Sequence, residues 1–173
     1  MRRSLAVALV LFSSSIACAV PKPTVPPLDK KDETVNERVR KLFASMRDGT
    51  YIDNGFPKLG WEDVPSLMVM AESTAALQKF PQNIISSYCQ RECAEGIAAL
   101  WLIEGVRKGS KLASLNPLIL PTGEVKGDWE KASIANYPNA VKAYKAWWDK
   151  AAGLSREKAA AIDPLKDAQL HWH

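Results

Sequence analysis

The stretch from Cys93 to Val106 constrains this chain more than any other. It reads Cys-Ala-Glu-Gly-Ile-Ala-Ala-Leu-Trp-Leu-Ile-Glu-Gly-Val. At 100° per residue, Ile97, Ala98, Ala99, Leu100, Trp101, Leu102, Ile103 and Val106 point in almost every direction around a helix axis. A helix that is apolar nearly all round must sit at the centre of a fold, with other elements packed against it. Ser87 and Gln90 read as a capping box ahead of it. One acid, Glu104, falls among the hydrocarbon, between the directions of Cys93 and Ile97.

The chain around that segment predicts further helices. Thr34 and Glu37 form a Thr-x-x-Glu capping box, followed by Val35, Val39, Leu42, Phe43 and Met46 on one stripe and by Gly49 at the end. A second helix is expected from Asp63, with Pro65 tolerated in its first turn. Thr74 to Phe80 reads as a short helical turn. A fourth helix is expected from Asn139 through Ala152, a short fifth after Ser155, and a last one from Asp163-Pro164 towards His171. Between them, Leu118-Ile119-Leu120 and Val125 around Pro121-Thr122-Gly123 suggest a small hairpin. The fold class is therefore mainly α: one compact domain of about six helices, over residues 34–173, with a possible small β-hairpin.

Residues 1–19 read as an export signal. Arg2 and Arg3 open it, Leu5 to Phe12 is an unbroken apolar run, and Ser13 to Ala19 supplies small residues. The run is too short for a permanent span, which needs roughly 20 residues. Two ways of cutting compete. Ala17-Cys18-Ala19 fits an A-x-A site that releases a protein beginning at Val20. Ile16-Ala17-Cys18 fits a lipoprotein box in which Cys18 is acylated, although Ser15 stands where that box usually has Leu. Residues 20–33, with Pro21, Pro23, Pro26 and Pro27, read as an extended linker spanning up to about 40 Å. The expected destination is the periplasm, the outer membrane or the cell surface, with membrane contact only through a lipid at Cys18.

Charge narrows the partners. Of 23 basic residues two lie in the signal, leaving 21 against 19 acidic residues and a net charge near +2. The basic residues are scattered, without a stripe of cations interleaved with aromatics, which argues against nucleic acid. His171 and His173 are the only histidines. A triad would have to borrow its base from the tail, and two ligands there make a poor metal site. The sequence predicts no metal and no cofactor.

Three sets of residues carry candidate chemistry. Glu104 is either a structural anchor, paired with Arg38, Arg47 or Arg107, or a general acid whose pKa desolvation would raise. No second carboxylate is placed to complete a glycosidase pair. Cys89 and Cys93 lie four apart, compatible with a disulfide in a frayed turn or with two thiols. Trp147 and Trp148, two of six tryptophans, point about 100° apart, so both cannot face the core centre. One of them is free to line a groove for a glycan or a protein.

Longer motifs resemble a known family. Phe80-Pro81-x-Asn83-x-Ile85-Ser86-Ser87-Tyr88, Leu100-Trp101-Leu102-Ile103-Glu104-Gly105-Val106-Arg107, Ser114-Leu115-Asn116-Pro117-Leu118, Tyr144-x-x-Trp147-Trp148 and the tail Asp163-Pro164-Leu165 to Trp172 are similar to a catalogued domain of unknown function. Its members are uncharacterised exported bacterial proteins, many of them lipoprotein-like. The resemblance covers nearly all of residues 34–173 and implies an envelope setting and a helical fold, with no catalytic residues to transfer. Where the family carries Asn-Pro-Ile-Ser-Ser, this chain has Asn83-Ile84-Ile85-Ser86-Ser87, which predicts a different turn. The helices expected from Asp63 and Ser87 are also loosely similar to one HEAT-type pair, which implies protein binding. The leading expectation is a tethered binding module for a protein or glycan partner. A small cell-wall glycan hydrolase using Glu104 and a structural subunit of an envelope complex are the alternatives.

Overall fold

A computed structural model describes residues 35–151 and 153–173. The export segment, Cys18, the proline-rich linker and Thr34 lie outside the described residues. The described chain forms α1 (Glu37–Arg47), α2 (Val64–Met70), α3 (Glu95–Arg107), β1 (Ile119–Pro121), α4 (Trp129–Ala151), α5 (Arg156–Ala161) and β2 (Leu170–Trp172). The fold is mainly helical, with five helices among the described residues instead of about six, and one two-stranded antiparallel sheet.

The N-cap of α1 is Asn36, whose Oδ1 accepts from the Val39 N–H at 3.0 Å, satisfying a donor of the first turn. Val39, Phe43 and Met46 are buried, and Gly49 takes up φ +76°, the left-handed conformation that ends a helix. Asn36 does a second task that ties α1 to the next element. Its Nδ2 donates to Asp63 Oδ1 at 2.9 Å, and Asp63 Oδ2 accepts from the Gly60 N–H at 2.9 Å. The buried Asp63 carboxylate thus joins the loop to α1; it does not cap α2, as its position in sequence suggested. Pro65 sits in the first turn of α2 as expected.

Helix α3 is the centre. Every residue from Glu95 to Val106 is buried. It begins at Glu95, later than the expected Ser87 start, because the Gln90 amide that was to close the capping box is used otherwise. Its Nε2 donates to the Glu92 and Pro117 carbonyls at 2.9 and 3.3 Å. Segment 74–80 is likewise irregular instead of helical, with Ala76 bridged to Ala94 antiparallel to it.

Two glycines let neighbours approach this helix. A Cβ on Gly96 would lie 2.7 Å from the Ser73 carbonyl oxygen, and one on Gly105 would lie 2.5 Å from that of Lys111. Backbone cannot yield as a flexible side chain can. Gly105→Ala is therefore expected to destabilise the domain by about 1–3 kcal/mol, despite a helix-propensity gain of up to about 1 kcal/mol. A urea unfolding curve measures the loss.

Helix α4 starts ten residues before the expected Asn139. Asp128 Oδ1 accepts from the Glu130 and Lys131 N–H groups at 3.0 and 3.2 Å, an N-cap that the irregular pattern of 109–138 hides. Pro138 lies inside the helix, at a cost of about 3 kcal/mol. Contacts beside it offset that cost. Tyr137 donates through its hydroxyl to the Ala71 and Ser73 carbonyls, and Ser133 Oγ accepts from the Ile119 N–H at 2.9 Å.

The expected hairpin to Val125 does not form. β1 pairs with the tail strand β2, in the register Ile119 to Trp172, Leu120 to His171 and Pro121 to Leu170. The helix expected from Asp163-Pro164 to His171 is a run of turns that leads into β2. Gln169 adopts φ +53°, and the Leu170 N–H returns to the Leu165 carbonyl, so no helix can continue there.

Candidate functional site

Of the two buried acids of α3, Glu95 and Glu104, the second is fully engaged. Glu104 is 3% exposed. Arg107 grips it with two hydrogen bonds, Nε to Oε2 at 2.8 Å and Nη2 to Oε1 at 2.6 Å. Lys108 Nζ lies 3.4 Å from Oε1. Tyr144 donates its hydroxyl to Oε2 at 2.8 Å, and that hydroxyl accepts from Trp172 Nε1 at 2.9 Å. Arg107 also donates to the carbonyls of Ala160 and Ile162. One carboxylate thereby fastens α3 to α4, to the end of α5 and to β2.

Burial pushes the Glu104 carboxyl up, but the Arg107 hydrogen bonds and charge, the Tyr144 hydroxyl and Lys108 together hold it below the ordinary carboxylate range. The sequence-based expectation of a raised value is corrected: the guanidinium bound to it outweighs desolvation. A carboxylate held ionised with both oxygens occupied is poorly suited to give up a proton. A stability consequence follows from the sign of the shift. The unfolded chain takes up the proton first, so the contribution of Glu104 is complete above about pH 4.3, the unfolded value. It is lost as pH falls from there through the lower folded value. Acid titration of unfolding free energy should show this loss in the wild type and not in Glu104→Gln.

The paired tryptophans divide as their directions require. Trp147 is 3% exposed, donates Nε1 to the Ala159 carbonyl at 3.1 Å, and packs against Trp61 and Tyr144. Trp148 is half-buried beside it, with ring centroids 5.8 Å apart. Trp147 is therefore a core residue, and only Trp148 presents any surface. Cys89 and Cys93 both lie before α3 as free thiols, Cys89 exposed and Cys93 buried. Burial pushes the Cys93 thiol well up. Among the described residues no group of three or more His, Cys, Asp or Glu side chains could hold a metal ion.

A different part of the molecule carries uncommitted polar groups. The loop after α1 and the irregular segment before α3 enclose a shallow hollow of about 460 Å³, lined by Tyr51, Ile52, Asp53, Gln78, Lys79, Phe80, Gln82, Gln90 and Arg91. Hydrogen bonds fix the backbone of its walls. The Tyr51 N–H donates to the Ser45 carbonyl at 2.9 Å, and the Gln78 and Lys79 N–H groups share the Met46 carbonyl at 3.1 and 3.0 Å. Asp53 Oδ2 accepts from the Gln82 N–H at 3.1 Å, which clips one wall to the other.

Two buried polar atoms in those walls have no partner: the Tyr51 hydroxyl and Gln90 Oε1. Tyr51 is 8% exposed and Gln90 5%. The Gln90 amide cannot turn to relieve its oxygen, because its nitrogen is pinned between two carbonyls. Burial, with the Asp53 charge, pushes the Tyr51 hydroxyl up to about 12, so it is a neutral donor at ordinary pH. Lys79 and Arg91 stand exposed at the rim. Ile52 is 77% exposed there, and on the loop between Gln82 and Gln90 Ile84 and Ile85 are 97% and 76% exposed.

Sequence reasoning singled out none of these residues as functional. Gln90 has the spacing of a helix cap, and residues 51–53 lie between two expected helices without a motif of their own. Only the meeting of two segments about thirty residues apart creates the hollow, and no local spacing signals that.

Among the described residues no helix is long and apolar enough to cross a membrane. No curated protein and no solved structure matches the chain. Its sequence does match one family profile over residues 33–173, which include every described residue, and the chain belongs to that family, a domain of unknown function (DUF4943).

Proposed function

We propose that this domain is a non-enzymatic binding module, tethered in the cell envelope by the proline-rich linker, and that its partner, a protein or a glycan, docks in the hollow beside Tyr51 and Gln90. One observation carries the reading. A buried polar atom without a partner costs about 1–3 kcal/mol, and such groups in a folded chain call for an explanation. Here two of them belong to residues that wall the same concavity, together with two cations. Both atoms are closed to solvent in the free domain, so the reading requires a partner that displaces the side chains over them, supplies their missing hydrogen bonds and recovers what folding gives up. The saturated surroundings of Glu104 support binding over hydrolysis. The signal-like segment and Cys18 support an envelope setting and, through acylation, a membrane anchor.

Tyr51→Phe separates this reading from a structural role. It removes an unpartnered hydroxyl and leaves the ring, so the melting temperature should hold or rise. Retention on the partner should fall by several-fold, the worth of one hydrogen bond of about 0.5–1.5 kcal/mol. The measurement incubates full-length protein with purified sacculi and, separately, with solubilised envelope proteins, and compares the fraction retained. No retention on either material, or retention that ignores Tyr51→Phe, contradicts the proposal. Release of sugar from the sacculi by the wild type would favour the hydrolase instead.

A further inference from the structure

We infer that the ligand of the hollow is an anionic sugar, whose hydroxyl groups meet the Tyr51 hydroxyl and Gln90 Oε1 and whose negative group meets Lys79 and Arg91. The inference rests on the reading of the hollow as the binding site and adds its chemistry. Gln90 Oε1 is a fixed acceptor, since Nε2 is held by the Glu92 and Pro117 carbonyls. It therefore asks for an O–H or N–H from the ligand. The Tyr51 hydroxyl, in the wall of the same hollow, is a donor without a partner.

Charge supplies the second requirement. Neither Lys79 nor Arg91 makes an ion pair among the described residues. The one acid in the lining, Asp53, already accepts from the Gln82 and Gly55 N–H groups. Within the lining two cations stand against one acid, a net charge of +1 that favours an anion, while the Glu130 carboxylate behind the rim is taken up by the Arg91 and Glu92 N–H groups. Its volume of about 460 Å³ falls in the range of small-ligand sites, about 300–1,000 Å³.

Backbone geometry separates a sugar from an acidic peptide. An extended peptide gains affinity by pairing with a free strand edge. Here the N–H groups of Tyr51, Gln78, Lys79, Gln82 and Arg91 are all bonded within the chain, the last to Glu130 Oε1 at 3.1 Å. Recognition falls to side-chain hydroxyl, amide and cationic groups. These match a ligand whose donors and acceptors project in many directions.

The test is calorimetric titration of the full-length protein with four probes. They are a short glucuronic acid oligosaccharide, a phosphorylated hexose, a neutral glucose oligosaccharide of matching length, and an oligoglutamate peptide. One of the two anionic sugars should bind at least about tenfold more tightly than the neutral one, and which of them binds identifies the anion. Arg91→Ala and Lys79→Ala should each weaken that binding about tenfold, with melting curves unchanged because both side chains are exposed. Equal affinity for the neutral sugar, or tighter binding of the peptide, overturns the inference and leaves the binding reading standing. Binding of none of the four also overturns it, and retention on sacculi or envelope proteins then decides the broader reading by itself.

Discussion

Replacing Glu104 with alanine lowers the stability of the domain by about 3–5 kcal/mol, the cost of breaking a buried ion pair from one side. The substitution strands three groups at once. Arg107, whose side chain is 10% exposed, keeps a charge with no counter-charge in contact. The Tyr144 hydroxyl, fully buried, loses its acceptor, and the Trp172 indole loses the orientation of the hydroxyl that receives it. The effect is therefore felt in α4 and in the tail strand as well as in α3. Unfolding in urea measures it. Replacing both partners, as Glu104→Leu with Arg107→Met, should cost clearly less than Glu104→Ala, since no buried charge is then left alone. If Glu104→Ala cost under about 1 kcal/mol, the carboxylate would be idle in the fold and free for chemistry.

The second large effect belongs to the neighbouring turn. Trp101→Ala removes the largest of the completely enclosed side chains and should cost about 3–5 kcal/mol. The indole is wholly enclosed, and its Nε1 donates to Ser114 Oγ at 2.7 Å, while that hydroxyl donates to the Asn116 carbonyl at 2.8 Å. Truncation leaves a cavity and also loosens the connection that leads into β1. Small domains hold only about 5–15 kcal/mol in total. Trp101→Ala should thus lie near the edge of folding, visible as a thermal transition that broadens or disappears. Trp148→Ala, at a half-buried position, should change stability much less.

The centre of this fold was legible because its signal is local. An apolar segment without a polar face can only be interior, and α3 is buried from Glu95 to Val106. The α1 stripe and Gly49 were equally plain. The misread boundaries share a physical cause, which is tertiary bonding that competes with local pattern. Ser87 and Gln90 have the right spacing for a cap, but the Gln90 amide is claimed by the nearby Glu92 carbonyl and by the distant Pro117 carbonyl. Pro138 reads as a helix breaker, yet Tyr137 and Ser133 bind the helix to the body on either side of it. The tail has helical composition, but Leu115, Asn116 and Leu118 offer backbone partners to His173, and the strand takes precedence. The role of Glu104 was half legible: its burial follows from the helix, whereas the direction of its titration depends on Arg107 turning inward. Trp147 and Trp148 illustrate the same limit. Their divergence was certain, and which of them faced inward required the fold.

The central claim is that Glu104 serves the structure and that recognition takes place at the hollow. Amide chemical-shift mapping of the full-length protein, on addition of soluble glycan fragments released from sacculi, tests it most directly. The account predicts shifts confined to residues 51–53 and 78–91, with Glu104, Arg107 and Tyr144 unmoved. Shifts centred on those three residues, or no shift at 51–53 and 78–91, would contradict it.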